Sequence, residues 1–135
     1  MTNFMYTRIS LLSALFSFFF LFAACESEDS VNVNQDRIYT EYRLVYESNQ
    51  DKTFARATFR FGNATGTQLE LSDPASVSVE GDPLTWRALL AYYDKSYAGV
   101  IDTKTFSSTD LDDNTFVNTV EMAKPIAFTS TLTEI

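Results

Sequence analysis

The chain has 135 residues, with eighteen Asp and Glu against ten Lys and Arg and a net charge of −8. It contains no histidine and a single cysteine, so its composition excludes Ser-His-Asp and Cys-His nucleophilic catalysis, ordinary zinc sites and haem ligation by histidine. An acidic surface repels phosphate backbones, which argues against nucleic-acid binding. The length is typical of one small domain.

The first part of the chain carries an apolar run that ends just before the cysteine. Residues 9–24 form a run of sixteen residues in which three serines interrupt apolar side chains, and Arg8 is the single basic residue before it. A membrane-spanning helix needs about 20 apolar residues, whereas the apolar region of a secretory signal has about 7 to 15. The length therefore predicts a signal peptide over residues 1–24, which takes no part in the fold.

The three residues before the cysteine have a characteristic order. Phe22, Ala23 and Ala24 precede Cys25 and resemble the lipobox of bacterial lipoproteins, with Phe22 in the position where leucine is usual. The resemblance implies that Cys25 is acylated, becomes the first mature residue and holds an exported outer-membrane lipoprotein on its membrane. In the alternative, an ordinary signal peptide is cleaved beside it and leaves a free thiol, which is an unusual leftover in an exported chain.

An acidic segment follows the cysteine. Residues 26–30 read ESEDS, and an acidic cluster in this place resembles the export signal of surface-exposed lipoproteins in Bacteroidota-type bacteria. The resemblance implies display on the cell surface. A solvated linker has the same composition, so both interpretations predict a flexible acidic tether over residues 25–36, followed by a folded domain over residues 37–135.

The folded domain begins with two segments that alternate polar and apolar residues. Residues 37–47 place Tyr42 and Leu44 on one face and charged side chains on the other, and residues 53–62 repeat the pattern around Ala57. Alternation at period two is typical of half-buried strands. Because a short polar segment separates the two strands, the sequence predicts a hairpin.

Further short segments suggest strands up to the end of the chain, and one segment is ambiguous. After Pro83, the residues Trp86, Leu90 and Tyr93 recur at helical spacing, so residues 84–93 are interpreted either as a short helix or as strand. The predicted strands after the hairpin cover residues 67–71, 77–80, 97–102, 105–107, 116–122 and 126–132.

About seven short strands with turn signals every 8 to 12 residues predict an all-β antiparallel sandwich. The number and spacing of these strands resemble the small immunoglobulin-like domains of bacterial surface lipoproteins. The resemblance implies an immunoglobulin-like sandwich and carries no specific function, since one fold hosts many functions.

One polar loop near the end of the chain has the spacing of a calcium site. Asp110, Asp112 and Asn114 match positions 1, 3 and 5 of an EF-hand loop, and Glu121 matches position 12. Thr115 stands where that loop needs glycine, and Asp and Asn also favour turns because they hydrogen-bond their own backbone. The segment is therefore either a calcium-binding loop or a metal-free turn, and no other cofactor is expected.

Four aromatic residues, Trp86, Tyr92, Tyr93 and Tyr97, form a second candidate site. Clustered rings offer a large contact area with a polar handle, which suits a protein or a glycan. The alternative is that these rings pack in the core, above all the single tryptophan. Adjacent Tyr92 and Tyr93 would face opposite ways in a strand, which would expose one of them.

The eighteen acidic residues also raise the question of hydrolysis by paired carboxylates, but a sandwich of this size rarely encloses a cleft. We therefore expect a lipid-anchored, non-catalytic binding or scaffold module of the cell envelope, with a membrane and a protein or glycan as partners and no nucleic acid. The first alternative is an inhibitor that inserts the acidic loop 110–114 into the basic cleft of an enzyme. The second alternative is a small hydrolase.

Overall fold

The structure is built almost entirely of strands. The computed structural model describes residues 27–123, and within that range it contains ten β-strands and two short 3-10 turns, Ser30–Asn32 and Gln35–Arg37. The strands are β1 (Glu28–Asp29), β2 (Ile38–Glu47), β3 (Lys52–Phe61), β4 (Gln68–Glu70), β5 (Ser76–Val79), β6 (Asp82–Pro83), β7 (Thr85–Arg87), β8 (Tyr92–Ala98), β9 (Thr103–Thr109) and β10 (Thr115–Glu121). They form two sheets that share one core, which confirms the predicted all-β sandwich. Between residues 27 and 123, no helix is long and apolar enough to cross a membrane.

Strand β3 is the centre of the six-stranded sheet. It pairs along its whole length with β2, and on its other side it pairs with β8 and, further along, with β4. β7 and β1 extend the sheet beyond β8 and β4, and β1 alone pairs in parallel. The predicted hairpin is confirmed, since Tyr42 lies opposite Ala57 and Leu44 lies opposite Ala55 on the inner face.

The four-stranded sheet has the order β10, β9, β5, β6, and all its pairings are antiparallel. Glu80 and Gly81 form the two-residue turn between β5 and β6, and both have positive φ, 51° and 88°. A type I′ hairpin turn requires positive φ at both central residues. Among the residues that the structure describes, β10 pairs with β9 and has no strand on its other edge.

The core lies between the two sheets and contains side chains from both. Tyr42 of the edge strand β2 stacks on Phe106 of β9, with 4.8 Å between ring centroids. This contact ties β2 to the opposite sheet. The apolar residues with no exposed surface are Ala55, Ala57, Leu69, Val79 and Phe106.

The short helix that the spacing allowed over residues 84–93 does not form. The chain makes the strands β7 and β8 there, and Trp86 of β7 lies directly opposite Tyr93 of β8. Between them, the Arg87 carbonyl accepts hydrogen bonds from the backbone N–H groups of Leu90 (3.0 Å) and Ala91 (2.8 Å), so helical bonding is limited to one turn. Of the two interpretations, the strand is confirmed and the helix is wrong, because the Thr, Trp and Tyr residues on both sides of this turn favour strands and pair with each other.

Part of the segment assigned to the tether is packed against the domain. β1 pairs with β4, and Ser30 has no exposed surface. The Ser30 hydroxyl accepts a hydrogen bond from the Ser72 N–H at 2.9 Å, and its carbonyl accepts one from Gln35 Nε2 at 2.8 Å. Among the described residues, β1 and Ser30 are therefore already packed against the domain, before Arg37. The last predicted strand, over residues 126–132, lies outside the described residues.

Candidate functional site

The structure divides the four aromatic candidates between the two faces of the six-stranded sheet. Tyr93 is buried, with the Trp86 ring tilted against it at 4.9 Å and the Phe59 ring edge-on at 5.8 Å. Its hydroxyl accepts a hydrogen bond from the Leu71 N–H at 2.7 Å. Tyr92, the next residue, faces the opposite side, as the alternation of a strand requires. The four rings therefore do not form one surface.

Trp86 and Tyr97 also lie on the inner face of this sheet, where both pack against the core. The Lys104 Nζ atom lies 4.6 Å from the centroid of the Tyr97 ring, and burial raises the pKa of the Tyr97 hydroxyl. The Trp86 indole N–H and the Tyr97 hydroxyl are buried and have no hydrogen-bond partner in the part of the chain that the structure describes. Of the four aromatic candidates, Tyr92 is thus the one that belongs to the outer face.

The outer face of the six-stranded sheet carries an arginine between two aromatic rings. The Arg56 guanidinium lies 5.1 Å from the centroid of the Phe54 ring and 5.1 Å from that of the Tyr92 ring. Cation–π contacts of this kind contribute about 0.5 to 1 kcal/mol each at exposed sites. The Arg56 Nη2 atom also donates a hydrogen bond to Glu47 at 2.9 Å. These three contacts hold the guanidinium in one orientation near the middle of the sheet.

Ion pairs surround this arginine on the same face. Arg60 Nη1 lies 2.9 Å from Glu41 Oε2, and Arg87 Nε lies 2.6 Å from Oδ1 of the buried Asp94. Arg43 also pairs with Glu41. The hydrogen bonds from Arg60 and Arg43 hold the pKa of Glu41 below its ordinary value, so this carboxylate is ionised at neutral pH.

The outer face is close to neutral in a strongly acidic chain. The strand register places five basic and five acidic side chains on it, whereas the chain after residue 24 has nine basic and eighteen acidic residues. The excess of acidic residues therefore lies elsewhere. The ten charged residues of this face are Asp29, Glu41, Arg43, Glu47, Lys52, Arg56, Arg60, Glu70, Arg87 and Asp94.

The candidate calcium loop is a turn that Asp110 closes with its own backbone. Asp110 Oδ1 accepts hydrogen bonds from the N–H groups of Asp112 and Asn114, both at 2.9 Å, and Oδ2 accepts one from Asn114 Nδ2 at 3.0 Å. Desolvation acts to raise the pKa of Asp110, but these hydrogen bonds outweigh it and the pKa lies below its ordinary value.

Glu121, the fourth candidate calcium ligand, lies at the far end of β10. Six residues of extended strand separate it from Thr115 by roughly 20 Å. The structure therefore does not bring Glu121 together with Asp110, Asp112 and Asn114, and the EF-hand arrangement does not form. In residues 27–123, no three or more His, Cys, Asp or Glu side chains are grouped so that they could hold a metal ion.

A cleft of about 300 Å³ lies between the two sheets, beside β2 and β10. The Tyr42 hydroxyl and the Ser108 hydroxyl in its lining share a hydrogen bond of 2.7 Å. The alternation of residues did not predict this cleft, because alternation locates strands but not a gap between the edges of two sheets. Its lining mixes aromatic and polar side chains, including Gln35, Tyr39, Tyr42, Asp110, Phe116 and Asn118.

Cys25 lies outside the described residues, and its lipidation stays a prediction. No protein-family model, curated protein or solved structure matches this chain.

Proposed function

We propose that this chain is a non-catalytic binding module of the cell envelope, anchored by lipid on Cys25, and that its partner docks on the outer face of the six-stranded sheet. The observation that carries this proposal is the Arg56 guanidinium held between the Phe54 and Tyr92 rings on that face. Tyrosine and arginine are the residues that often supply most of the energy of protein interfaces. A protein is therefore the partner that this face suits best, and a glycan that stacks on Tyr92 is the alternative.

The proposed docking face is preorganised. It lies on the central strand β3 and its neighbours, with Arg56 held by Glu47, and Asp94 on the neighbouring strand held by Arg87. Side chains that are already fixed lose little conformational entropy when a partner binds. Because the face is nearly neutral, it also repels an acidic partner less than the rest of this chain does.

The proposed lipid on Cys25 would keep the module at a membrane. Each buried methylene of an acyl chain contributes about 0.8 kcal/mol, and two chains suffice for stable anchoring. The apolar residues 9–24 and the order Phe22, Ala23, Ala24 before the cysteine support this anchor. The acidic residues after Cys25 support display on the outer surface of the outer membrane.

Site-specific photo-crosslinking in the cells that carry this chain tests the docking face. A photoreactive amino acid in place of Tyr92 is expected to capture a partner that the same amino acid in place of Val100 does not capture. Val100 is the matched control because it is 58% exposed and lies in the turn after β8, away from the proposed face. Equal capture at both positions, or none at position 92, would contradict the proposal.

The captured partner then allows a quantitative test with Tyr92→Ser. Truncation of a central interface aromatic costs 2 kcal/mol or more, so we expect at least a tenfold weaker affinity. The melting temperature is expected to change little, because Tyr92 is outside the core. Val100→Ser is expected to bind like the unaltered chain, and a Tyr92→Ser chain that does the same would refute this role.

The acidic loop supports a second candidate function, inhibition of an enzyme that has a basic cleft. Asp110 closes this loop with its side chain, and the Asp113 N–H donates to the Asp110 carbonyl at 3.3 Å. A loop held in this way loses little entropy on insertion into a cleft. Capture of an enzyme by a photoreactive amino acid in place of Asp113, with none in place of Tyr92, would favour this function.

A further inference from the structure

The turn between β7 and β8 is made of four apolar residues, Ala88, Leu89, Leu90 and Ala91. We call residues 88–91 the apolar turn. Leu89 is 94% exposed and Leu90 is 57% exposed. Hairpin turns normally carry glycine, asparagine, aspartate or proline, because these residues suit a tight backbone in contact with water. A run of exposed apolar residues at a turn therefore indicates a surface that leaves water when the protein functions.

Hydrogen bonds hold the apolar turn in one conformation. The Arg87 carbonyl accepts from the N–H groups of Leu90 and Ala91, at 3.0 and 2.8 Å. Ala91 is buried and has φ of 49°, so the turn is fixed to the domain on one side while the two leucines project on the other. A turn that is already formed loses little conformational entropy when its side chains are buried by a binding surface.

The register of the six-stranded sheet places the apolar turn at the end of the sheet where β3 finishes. Tyr93 lies opposite Ala57, and β8 runs antiparallel to β3. The residues before Tyr93 therefore lie toward Phe61, the last residue of β3. The two leucines project from this end of the sheet.

The described chain enters the domain at the same end. β1 pairs in parallel with β4, and β4 pairs antiparallel with β3, with Glu28 opposite Leu69 and Leu69 opposite Phe59. β1 therefore runs in the same direction as β8 and also begins at the end where β3 finishes. Burial raises the pKa of the Tyr93 hydroxyl, and the negative charge of Asp29 adds to this rise, because β1 lies near the start of β8.

The proposed lipid is attached close to this end of the sheet. Cys25 precedes Glu28 by three residues, and three residues span at most about 11 Å. We propose that Leu89 and Leu90 insert into the membrane that holds the lipid on Cys25, so that the apolar turn is a second anchor of the domain. This inference rests on the proposed lipid, because the lipid keeps the leucines within reach of a bilayer.

A second anchor at this position fits the rest of the molecule. A single acyl chain binds a membrane only marginally, and stable anchoring takes two signals. Arg87 lies at the base of the apolar turn with half of its side chain exposed, where a guanidinium suits the phosphates of lipid headgroups. With this end at the membrane, the strands stand away from the bilayer, and the outer face around Arg56 stays open to a partner.

Partition onto vesicles tests the apolar turn. A maleimide that carries one acyl chain is attached to the thiol of Cys25 in the mature chain, which has no other cysteine. The vesicles are neutral phosphatidylcholine, because the acidic chain repels anionic headgroups. The double variant Leu89→Ser and Leu90→Ser is expected to have an at least tenfold lower partition coefficient, because less apolar surface leaves water when it binds.

The matched control is Val100→Ser with the same acyl chain. Val100 is 58% exposed and follows β8, which ends opposite Lys52 at the other end of the sheet. We expect Val100→Ser to partition like the unaltered chain, and all variants to keep a similar melting temperature because the altered side chains are exposed. A double variant that partitions like the unaltered chain would assign the leucines to a protein partner and overturn the proposal. An equal loss in Val100→Ser would also overturn it.

A photoreactive lipid locates the apolar turn directly. Phosphatidylcholine with a photoreactive group in its acyl chain reacts with side chains that enter the bilayer. We expect mass spectrometry to find the label at Leu89 or Leu90 and not at Val100, and a label absent from residues 88–91 would contradict the proposal. Because the acyl chain on Cys25 is added chemically, both measurements are independent of acylation in cells. A failure of the apolar turn is therefore distinct from a failure of the proposed anchor.

Discussion

A Phe106→Ala variant is expected to lose a large share of the stability of the domain. Phe106 has no exposed surface and stacks on Tyr42, so that truncation leaves a cavity and removes the contact that ties β2 to the opposite sheet. Phenylalanine-to-alanine changes in cores cost about 3 to 5 kcal/mol, against a total of about 5 to 15 kcal/mol for a typical domain. Urea denaturation should show a much lower midpoint with a similar slope.

The matched control for this variant is Leu89→Ala. Leu89 is 94% exposed in the turn between β7 and β8, and a change at such a site should stay within about 0.5 kcal/mol. If Phe106→Ala and Leu89→Ala unfolded at similar urea concentrations, the core between the two sheets would not be the source of stability.

A Gly66→Ala variant is expected to destabilise the connection between β3 and β4. A Cβ atom at this position would lie 1.8 Å from the Phe61 carbonyl oxygen. That carbonyl belongs to the end of β3, where the Phe61 N–H also donates to Thr67 at 2.9 Å. Relief of the clash requires the backbone to shift, and we expect a loss of about 3 kcal/mol, the upper end for overpacking.

Gly81→Ala is the control that separates this steric clash from the backbone strain of replacing a glycine at positive φ. Gly81 has φ of 88°, but its Cβ would meet no atom within 4 Å. The cost there is the backbone strain alone, about 1 kcal/mol. The melting temperature of Gly66→Ala should therefore be well below that of Gly81→Ala. Equal melting temperatures would argue against the close approach at Gly66.

The sequence was sufficient to predict the hairpin of β2 and β3, because both strands bury one face and alternate without interruption. It left residues 84–93 open between helix and strand, because Trp86, Leu90 and Tyr93 happen to be spaced as on one face of a helix. In the structure, Trp86 and Tyr93 face the same side because they lie opposite each other on two paired strands. Spacing within one segment cannot distinguish one face of a helix from two residues that lie opposite each other on paired strands.

For the candidate sites too, local sequence patterns predict which way a side chain faces but not which distant residue it contacts. The alternation correctly predicted that Tyr92 and Tyr93 face opposite ways. It could not predict that Tyr92 meets Arg56, because that contact depends on the pairing of β3 with β8, which are distant in sequence. The spacing of Asp110 and Glu121 suggested one metal site, but an extended strand holds the two apart.

We propose that a lipid on Cys25 displays the domain at the cell envelope. The intact mass of the protein extracted from the membrane fraction of the cells that carry it tests this anchor most directly, with Cys25→Ala as control. We predict a mature chain that begins at Cys25 and carries the added mass of acyl chains, and a Cys25→Ala chain without that mass. A free thiol at Cys25, or a chain that retains residues 1–24, would contradict the claim.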